Sequence, residues 1–554
     1  MIGQVLSYIH SDGKWISCVV LWILWRTWIF TIKPRLPVFR DEVDVLPYNI
    51  PFIGHAISLF WDPLALYEYA HTYFGKTRKP YAIHTAGQIT VVITDPHQAA
   101  EILGNDDSYT SDPFLDALYR TVGGVSIPGS QTLWKKGRPN INANNKTSSL
   151  VHKCHEILLN QLSSPNINTK VVSLIETATR NGIPSSTEIS HTKDNIKVVS
   201  LHRWCRDILI KAQMDLFFGP SLVDEIEPDA VTLFDSFDAN SWMLAYQYPS
   251  FLAKQATMPR ENLVRALQTY LDAVADKKDN DEHNPVFALV IEEMKTAGLS
   301  HEDCARVLLV MFWEINATVQ TTAFCMLAHL LRPENKGLID TTRKETIPVT
   351  TDMTSQLVRR TSMEVQPLDD PSVFDYNAFS SSICPTLHSL YAEVMRVFNT
   401  SAPIRVTTRP VSLSSGTQSN SETKVIPTNT KIVLPQRMIA LSPELFGPKA
   451  DHVDPHRFVT PSNKEDAAHA PESLVLGTFL PQNSAKTVGK SAVLAFVAFV
   501  LWRFDLEVVP EGQMAKDGKT VGMGVPRIAL KRPSLGVSRQ VDGDDVVVEV
   551  RNRQ

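Results

Sequence analysis

Cysteine is scarce in this chain and ends early. The 554 residues include only six cysteines, and none follows Cys384. The six form no CxxC pair and no regular spacing, which indicates unpaired thiols in a reducing compartment. A large excess of positive charge is also missing, because 54 Lys and Arg face 59 Asp and Glu for a net charge of −5. The chain therefore lacks the basic surface that nucleic-acid binding requires, although its 43% hydrophobic residues can bury a large core.

The N-terminus carries the one targeting signal. Residues 15–32 form an apolar stretch of 18 with four tryptophans, interrupted by a single charged residue, Arg26. This length suits one membrane-spanning helix, and tryptophans are favoured at membrane interfaces. Because Lys33 and Arg35 follow, the positive-inside rule predicts that the main part of the chain is cytosolic. We therefore expect residues 1–33 to be a single-pass anchor in the endoplasmic reticulum, with an interfacial helix as the alternative.

Periodicity predicts a mainly α fold with a smaller β region. From about 150 to 335 the pattern is mostly helical, and residues 302–332 are apolar nearly all round, as a central buried helix would be. Residues 335–382 are polar and irregular in pattern, and the tail from about 535 is polar, with a possible edge strand at 546–550. Further predicted elements are a strand at 90–94, helices at 96–104 and 386–398, strands at 404–408 and 431–435, and an apolar helix from about Lys490.

Four stretches carry a resemblance to a known family. An ExxR sequence runs from Glu393 to Arg396 on a predicted helix, although alone such a pair usually marks a helix surface. DPHRF stands at 454–458, WKKGR at 134–138, and the central helix ends in HLLRPE. In this order the four stretches resemble the cytochrome P450 family. The resemblance implies a P450-like domain over residues 34–535, between the anchor and a polar tail at 536–554.

The resemblance also implies roles for six residues. Glu393, Arg396 and Arg457 match the family's buried Glu–Arg–Arg cluster, in which the planar guanidinium holds a carboxylate bidentately. Trp134, Arg138 and Arg405 match positions that hold the haem propionates. The alternative for Arg138 and Arg405 is that they bind an acidic substrate or form structural salt bridges.

The haem-ligating loop departs from the family pattern. The position of the ligating cysteine falls on Asn483, and the family's conserved aromatic and glycine fall on Leu476 and Phe479. Asparagine is a poor ligand for haem iron, because anionic sulfur supplies the electron density that favours O–O cleavage. We therefore expect either no haem or haem without thiolate ligation.

The central helix departs as well. The family's (A/G)Gx(D/E)T sequence falls on residues from Glu314 to Thr318. The threonine is kept, but the acid has become Ala317 and the glycine beside dioxygen has become Ile315. Residues 313–324 resemble the branch that contains sterol 7-hydroxylases and prostacyclin synthase, which includes an isomerase and still uses haem.

Three functions are compatible with these residues. The favoured one is a haem-independent cyclase or isomerase, in which Glu314 is the acid or base and Thr318 is the second catalytic residue. An apolar helix would raise the pKa of Glu314, although a neighbouring arginine or solvent could equally satisfy the carboxylate. The second is an altered haem-binding monooxygenase, and the third is a non-catalytic membrane partner. The expected substrate is a lipophilic terpenoid, steroid or polyketide, with other pathway enzymes as possible partners.

Overall fold

The chain divides into two compact units, which are described separately. The computed structural model describes residues 17–39, 41–105, 107–135, 148–191, 196–276, 285–347, 382–414, 423–459, 483–509, 526–532 and 534–553. Unit 1 comprises Met1–Ser111 and Ala402–Ile439, and unit 2 comprises Asp112–Ser401 and Ala440–Gln554. The boundaries predicted from sequence, at residues 33 and 535, stay predictions.

Helices make up most of the described chain, as the sequence predicted. In chain order they are α1 (17–27), α2 (Ala56–Trp61), α3 (Pro63–Tyr73), α4 (Pro96–Gly104), α5 (Asp112–Leu118), α6 (Ile127–Trp134), α7 (Leu150–Leu162), α8 (Pro165–Arg180), α9 (Leu201–Phe218), α10 (Ala230–Ala245), α11 (Lys254–Asp276), α12 (Ala288–Thr296), α13 (His301–Asn316), α14 (Val319–Leu330), α15 (336–347), α16 (Pro385–Phe398), α17 (Gln436–Ala440), α18 (Pro443–Phe446) and α19 (Asn483–Arg503).

The strands are fewer and shorter. They are β1 (Asp44–Val45), β2 (Tyr81–Thr85), β3 (Gln88–Val92), β4 (Tyr109–Thr110), β5 (Glu188–His191), β6 (Lys197–Ser200), β7 (Ile404–Thr407), β8 (Val411–Ser414), β9 (Thr423–Ile426), β10 (Lys431–Val433), β11 (Phe504–Val508) and β12 (Val547–Asn552).

Unit 1 is built on a six-stranded sheet in the order β1-β2-β3-β10-β7-β4. β1 pairs with β2 and β3 pairs with β10 in parallel, while the other pairs are antiparallel. Alternate side chains of the central strands, such as Val91 and Ile432, enter one hydrophobic core, and Val92 and Val433 enter another. β8 and β9 form a separate two-stranded hairpin.

Unit 2 is helical around one large hydrophobic core, with a four-stranded sheet in the order β11-β12-β6-β5. The expectation that residues 546–550 form an edge strand in a polar tail is wrong. β12 lies inside this sheet, because Val548 pairs with Val508 on one side and with Val199 on the other. Its valines are buried, and because the adjacent Val547 and Val548 point to opposite faces, both faces of the strand are covered there.

Three other boundaries differ from the sequence prediction. Residues 336–347, expected to be irregular, form α15, and the Glu345 carboxylate at its end accepts hydrogen bonds from the first backbone amides of α16, including Thr386 N at 3.0 Å. The last apolar helix begins at Asn483 and not near Lys490. The central helix is interrupted, because α13 ends at Asn316 and α14 begins at Val319.

Within the described residues, one helical stretch is long and apolar enough to span a membrane, His301–Leu330, and 89% of its most apolar window is buried inside the protein. That stretch is α13 with α14, so it is a core helix pair. α1 and the following π-helical turn at Trp28–Ile32 expose most of their side chains, in agreement with a segment that does not belong to the core.

Candidate functional site

The interruption of the central helix is stabilised by local hydrogen bonds. Asn316 is fully buried, and its Nδ2 donates to the carbonyl of Phe312 at 2.9 Å. Thr318 is the N-cap residue of α14, and its carbonyl accepts from the hydroxyl of Thr322 at 2.7 Å. The methyl group of Thr318 meets Gly536, where an added Cβ would lie 2.7 Å from Thr318 Cγ2. Glu314 therefore lies in the last turn of α13, whereas Thr318 stands at the start of α14.

Glu314 is paired with a histidine that the sequence did not suggest. His155 Nε2, on α7, lies 3.3 Å from Glu314 Oε2, and the two side chains are only 12% and 5% exposed. The second carboxyl oxygen, Oε1, is buried and has no hydrogen-bond partner among the described residues. The partner of the Glu314 carboxylate is therefore a histidine, and not the arginine or the solvent that were the alternatives from sequence. His155 could not be identified in advance, because 158 intervening residues separate it from Glu314 and nothing in its own helix marks it.

A buried tyrosine adds a second polar group beside this pair. Tyr119 lies in the π-helical turn Tyr119–Gly123, which packs on α13 at Gly123, and its hydroxyl has no hydrogen-bond partner among the described residues. Burial raises the pKa of Tyr119 well above its ordinary value, and the nearby Glu314 carboxylate and Cys154 thiol raise it further. The Tyr119 hydroxyl is therefore protonated at neutral pH and can donate a hydrogen bond.

A network of charges holds both sides of the helix interruption. Asp238 Oδ1, on α10, accepts from Trp313 Nε1 at 2.8 Å, and Asp235 Oδ1 accepts from Gln320 Nε2 at 2.9 Å. Arg539 joins the two carboxylates, at 2.6 Å from Asp235 and 3.1 Å from Asp238. Because Trp313 and Gln320 flank the interruption, the two aspartates fix α13 and α14 relative to α10.

The two aspartates of this network have pKa values shifted in opposite directions. Burial raises the pKa of Asp238 to about 6, against the lowering effect of Arg539. Burial would also raise the pKa of Asp235, but the charge and hydrogen bond of Arg539, with the charge of Arg206, lower it. Burial lowers the pKa of His202, so its ring is neutral near pH 7. The only sequence signal for this network was the spacing of two acids three residues apart on a helix.

The ExxR residues form a buried ion cluster, as the resemblance implies. Arg396 Nε lies 2.6 Å from Glu393 Oε1 within α16, and both side chains are 0% exposed. Arg457 Nε approaches the same oxygen at 3.1 Å, and the Asp454 amide donates to Glu393 Oε2 at 2.7 Å. The remaining Arg396 donors reach backbone carbonyls, including that of His452 at 2.8 Å. These residues hold α16 to the segment after α18 and contribute to the fold, not to chemistry.

Comparisons with known proteins agree with this architecture. No protein-family model matches the chain. The cytochrome P450 monooxygenase poxD of Penicillium oxalicum is 20% identical over 506 residues, which cover 89% of this chain and 94% of that protein. The solved structure of retinoic acid-bound cyanobacterial CYP120A1 matches with a TM-score of 0.59 at 13% identity, over 93% of this chain and 99% of that one. The chain is therefore similar in sequence to a cytochrome P450 monooxygenase, and it shares the fold of a solved cytochrome P450 structure. The resemblance drawn from the four sequence stretches is therefore confirmed, and so is the mainly α fold.

Cytochromes P450 normally bind haem, and one described residue fits the propionate end of that cofactor. Trp134 ends α6 and packs edge-to-face on His152, with 5.9 Å between ring centroids. Its Nε1 is buried without a hydrogen-bond partner among the described residues, so it is available to a ligand oxygen. Arg138 lies outside the described residues. Arg405 is buried in β7 of unit 1, where its guanidinium donates to the Ile404 carbonyl at 3.1 Å.

The residues present do not fit the thiolate ligation of haem iron. Asn483 is the first residue of α19, its side chain is outside the described ones, and the chain has no cysteine after Cys384. All six cysteines are free thiols, and five of them are buried. Burial raises the pKa of Cys325 and of Cys384 to about 12, so these thiols stay protonated at neutral pH. The chain therefore has no cysteine where the resemblance places the thiolate ligand, and within the described residues no cluster of His, Cys, Asp or Glu could hold a metal ion.

Proposed function

We propose that this P450-fold protein is a cyclase or isomerase that acts on a lipophilic metabolite, with Glu314 as its proton-transferring group. One observation supports the proposal most directly. Glu314 has one oxygen paired with His155 and the other, Oε1, buried and without a partner among the described residues. A buried polar atom without a partner is costly in a folded protein, and a catalytic role is one explanation for its persistence.

The chemistry follows from this arrangement. Glu314 Oε1 takes a proton from a carbon or oxygen atom of the substrate, and His155 Nε2 stabilises the carboxyl group through Oε2 in both protonation states. The same proton is then returned to another atom of the substrate, so that the product has the same composition and no oxidant is consumed. The Tyr119 hydroxyl, which burial keeps protonated at neutral pH, would donate a hydrogen bond to a substrate oxygen on which negative charge develops.

The substrate class is proposed on composition and burial. The residues around Glu314 on α13 are apolar and buried, among them Phe312, Val310 and Met311. A neutral, lipophilic molecule with at least one oxygen suits such surroundings, which agrees with a terpenoid, steroid or polyketide. We further propose that residues 1–33 anchor the chain in the endoplasmic reticulum membrane with its main part in the cytosol, so that substrate, membrane and other pathway enzymes are its partners.

The second candidate is a haem-dependent monooxygenase. It is favoured by the partnerless Trp134 Nε1, which could hold a propionate, and by the activity in the name of the Penicillium oxalicum relative. When bound, haem would supply oxidation chemistry, and Trp134 would orient it, with Arg138 as another expected contact. No residue of this chain is suited to give the iron a thiolate, so this candidate requires another ligand.

A single metabolite experiment separates the candidates. The gene is deleted in its native host, the accumulating intermediate is purified, and that intermediate is incubated with the purified protein without haem, reductase or NADPH. Isomerisation yields a product of unchanged mass, whereas monooxygenation adds one oxygen atom and needs the reductant. Glu314→Gln should lower the isomerisation rate by a factor of about 10² to 10⁴, the usual contribution of a general acid or base.

Glu156→Gln is the matched control, because Glu156 is exposed and lies next to His155 on α7. It should leave the rate unchanged. Equal activity of the Glu314→Gln protein and the wild type would refute the role of Glu314. A product that contains an added oxygen would replace the first proposal with the second. An intermediate that no condition converts would favour a non-catalytic partner.

A further inference from the structure

Three side chains of unit 2 are joined by hydrogen bonds outside the Glu314 site. The Ser149 hydroxyl lies 2.7 Å from His152 Nδ1, and His152 Nε2 lies 3.1 Å from Asp112 Oδ1. Ser149 is the N-cap residue of α7, His152 lies in the first turn of that helix, and Asp112 begins α5. A hydroxyl, an imidazole and a carboxylate in this order are the three groups with which serine hydrolases activate a nucleophile.

The carboxylate determines which ring nitrogen of His152 carries the proton. An ionised carboxylate only accepts hydrogen bonds, so Nε2, which faces Asp112, is the protonated nitrogen. In the neutral ring Nδ1 is then an acceptor, and the Ser149 hydroxyl is the donor to it. His152 is therefore oriented as a base towards Ser149. The two ring nitrogens have exchanged the roles that they have in serine proteases, but the order of acid, base and nucleophile is the same.

Helix capping does not explain the contact between Ser149 and His152. A serine at an N-cap normally accepts a hydrogen bond from a backbone amide of the first turn, which stabilises the helix by about 1 kcal/mol. The Ser149 side chain makes no such bond, and its hydroxyl is directed to His152 instead. The first-turn amides of α7 therefore receive no acceptor from Ser149 and remain beside its hydroxyl as donors.

The surroundings of the three residues suit a small ligand. The side chains of His152 and Asp112 are 46% and 40% exposed, so a molecule from solvent can reach the base. Trp134 packs edge-to-face on the His152 ring, and its buried Nε1 has no hydrogen-bond partner among the described residues. A donor for a ligand oxygen therefore stands beside the base. Ser149 itself is only 4% exposed, so its hydroxyl admits a slender group and not a bulky one.

We propose that Ser149, His152 and Asp112 form a second catalytic site, which hydrolyses esters or thioesters of slender acyl groups. Ser149 Oγ attacks the carbonyl carbon and gives its proton to His152 Nδ1. The bond to the leaving alcohol or thiol breaks, and the leaving group takes that proton. A water molecule then attacks the acyl group on Ser149 and gives a proton to His152 Nδ1. The carboxylic acid is released, and the proton returns to Ser149 Oγ.

The remaining groups stabilise the charges of this reaction. Asp112 holds the ring of His152 and stabilises its cationic form. Negative charge develops on the carbonyl oxygen, and Trp134 Nε1 and the first-turn amides of α7 are the donors for it. The site does not use Glu314 and consumes no oxidant, so this inference is independent of the proposed isomerisation.

The test treats the purified full-length protein with a fluorescent alkyl fluorophosphonate, a probe that reacts with activated serines. Peptide mass spectrometry should locate the label on Ser149, and Ser149→Ala should remove it. Ser148→Ala is the matched control, because the Ser148 hydroxyl contacts the Ser149 carbonyl at 3.4 Å, and it should be labelled at the wild-type rate. His152→Gln should slow the labelling by a factor of about 10² to 10⁴, the usual contribution of a general base.

Asp112→Asn separates the orientation of the base from the stability of the fold, since Asp112 is partly exposed and asparagine keeps its size. The maximal labelling rate should fall by about 10²-fold while the probe concentration at half-maximal rate stays unchanged. An unlabelled Ser149 in the wild type, or equal labelling rates of the wild type and His152→Gln, would overturn the proposal. A labelled Ser149 without turnover of p-nitrophenyl butyrate would overturn the hydrolysis.

Discussion

Replacement of Arg396 by alanine should remove most of the stability of unit 2. The side chain is fully buried and donates to both Glu393 oxygens, at 2.6 and 2.9 Å, to the Ala440 carbonyl at 3.0 Å, to the His452 carbonyl at 2.8 Å and to the Ala450 carbonyl. Alanine leaves the Glu393 carboxylate with fewer partners and removes the donor from two buried carbonyls and from the part-buried His452 carbonyl.

The magnitude follows from these contacts. Breaking a buried ion pair by removing one partner costs about 3–5 kcal/mol. Each buried acceptor left without a donor adds about 1–3 kcal/mol, although such costs are not additive. We therefore expect a loss of at least about 5 kcal/mol, which equals the lower limit of the usual free energy of unfolding. The Arg396→Ala protein should fail to accumulate in folded form.

Arg457→Met is the comparison that keeps this experiment informative. Arg457 is 15% exposed and shares the Glu393 carboxylate with Arg396, which remains in place. Its removal should lower the free energy of unfolding by only about 1–3 kcal/mol, measured by urea denaturation followed by circular dichroism. If Arg396→Ala unfolds at the same urea concentration as Arg457→Met, the cluster does not contribute as its geometry indicates.

Three further outcomes are expected. Burial raises the pKa of Asp238 from 3.8 to about 6. Between these pH values the carboxyl group is protonated in the folded protein and ionised in the unfolded chain. The free energy of unfolding should therefore fall by up to about 3 kcal/mol as pH rises from about 4 to above 6. Asp238→Asn should remove this part of the pH dependence, and an unchanged urea-denaturation profile would contradict it. Gly536→Ala should destabilise the protein by about 1–3 kcal/mol, since the added Cβ would lie 2.7 Å from Thr318 Cγ2. Thr318→Ser, made in the Gly536→Ala protein, should restore the melting temperature because it removes that methyl group. The isolated protein should lack the carbon monoxide difference band of a thiolate haem. The Phe479→Gly, Asn483→Cys double variant should bind more haem than the Asn483→Cys variant. A thiolate-type spectrum of the unmodified protein would contradict this prediction and favour a monooxygenase.

Part of the fold follows from the sequence alone. Helices at 96–104 and 386–398 were predicted at almost their observed bounds, because local proline, capping and periodicity signals determine such elements. The order of the four family-like stretches indicated the P450 fold without any structure. The lack of a cysteine after Cys384 is likewise a property of the sequence, and it leaves no thiol at the position where the resemblance places the haem ligand.

The candidate site was decided by tertiary structure. Glu314 was a candidate from its position in the central helix, but its partner His155 comes from another helix and carries no sequence signal. The interruption before Thr318 contains no proline or glycine, so local signals predicted one continuous helix. Contacts from distant segments hold α13 and α14 in place, among them the ion pairs of Arg539 with Asp235 and Asp238. Sequence patterns report what each segment prefers by itself, whereas these groups acquire their partners, their burial and their pKa values only when the distant segments pack together.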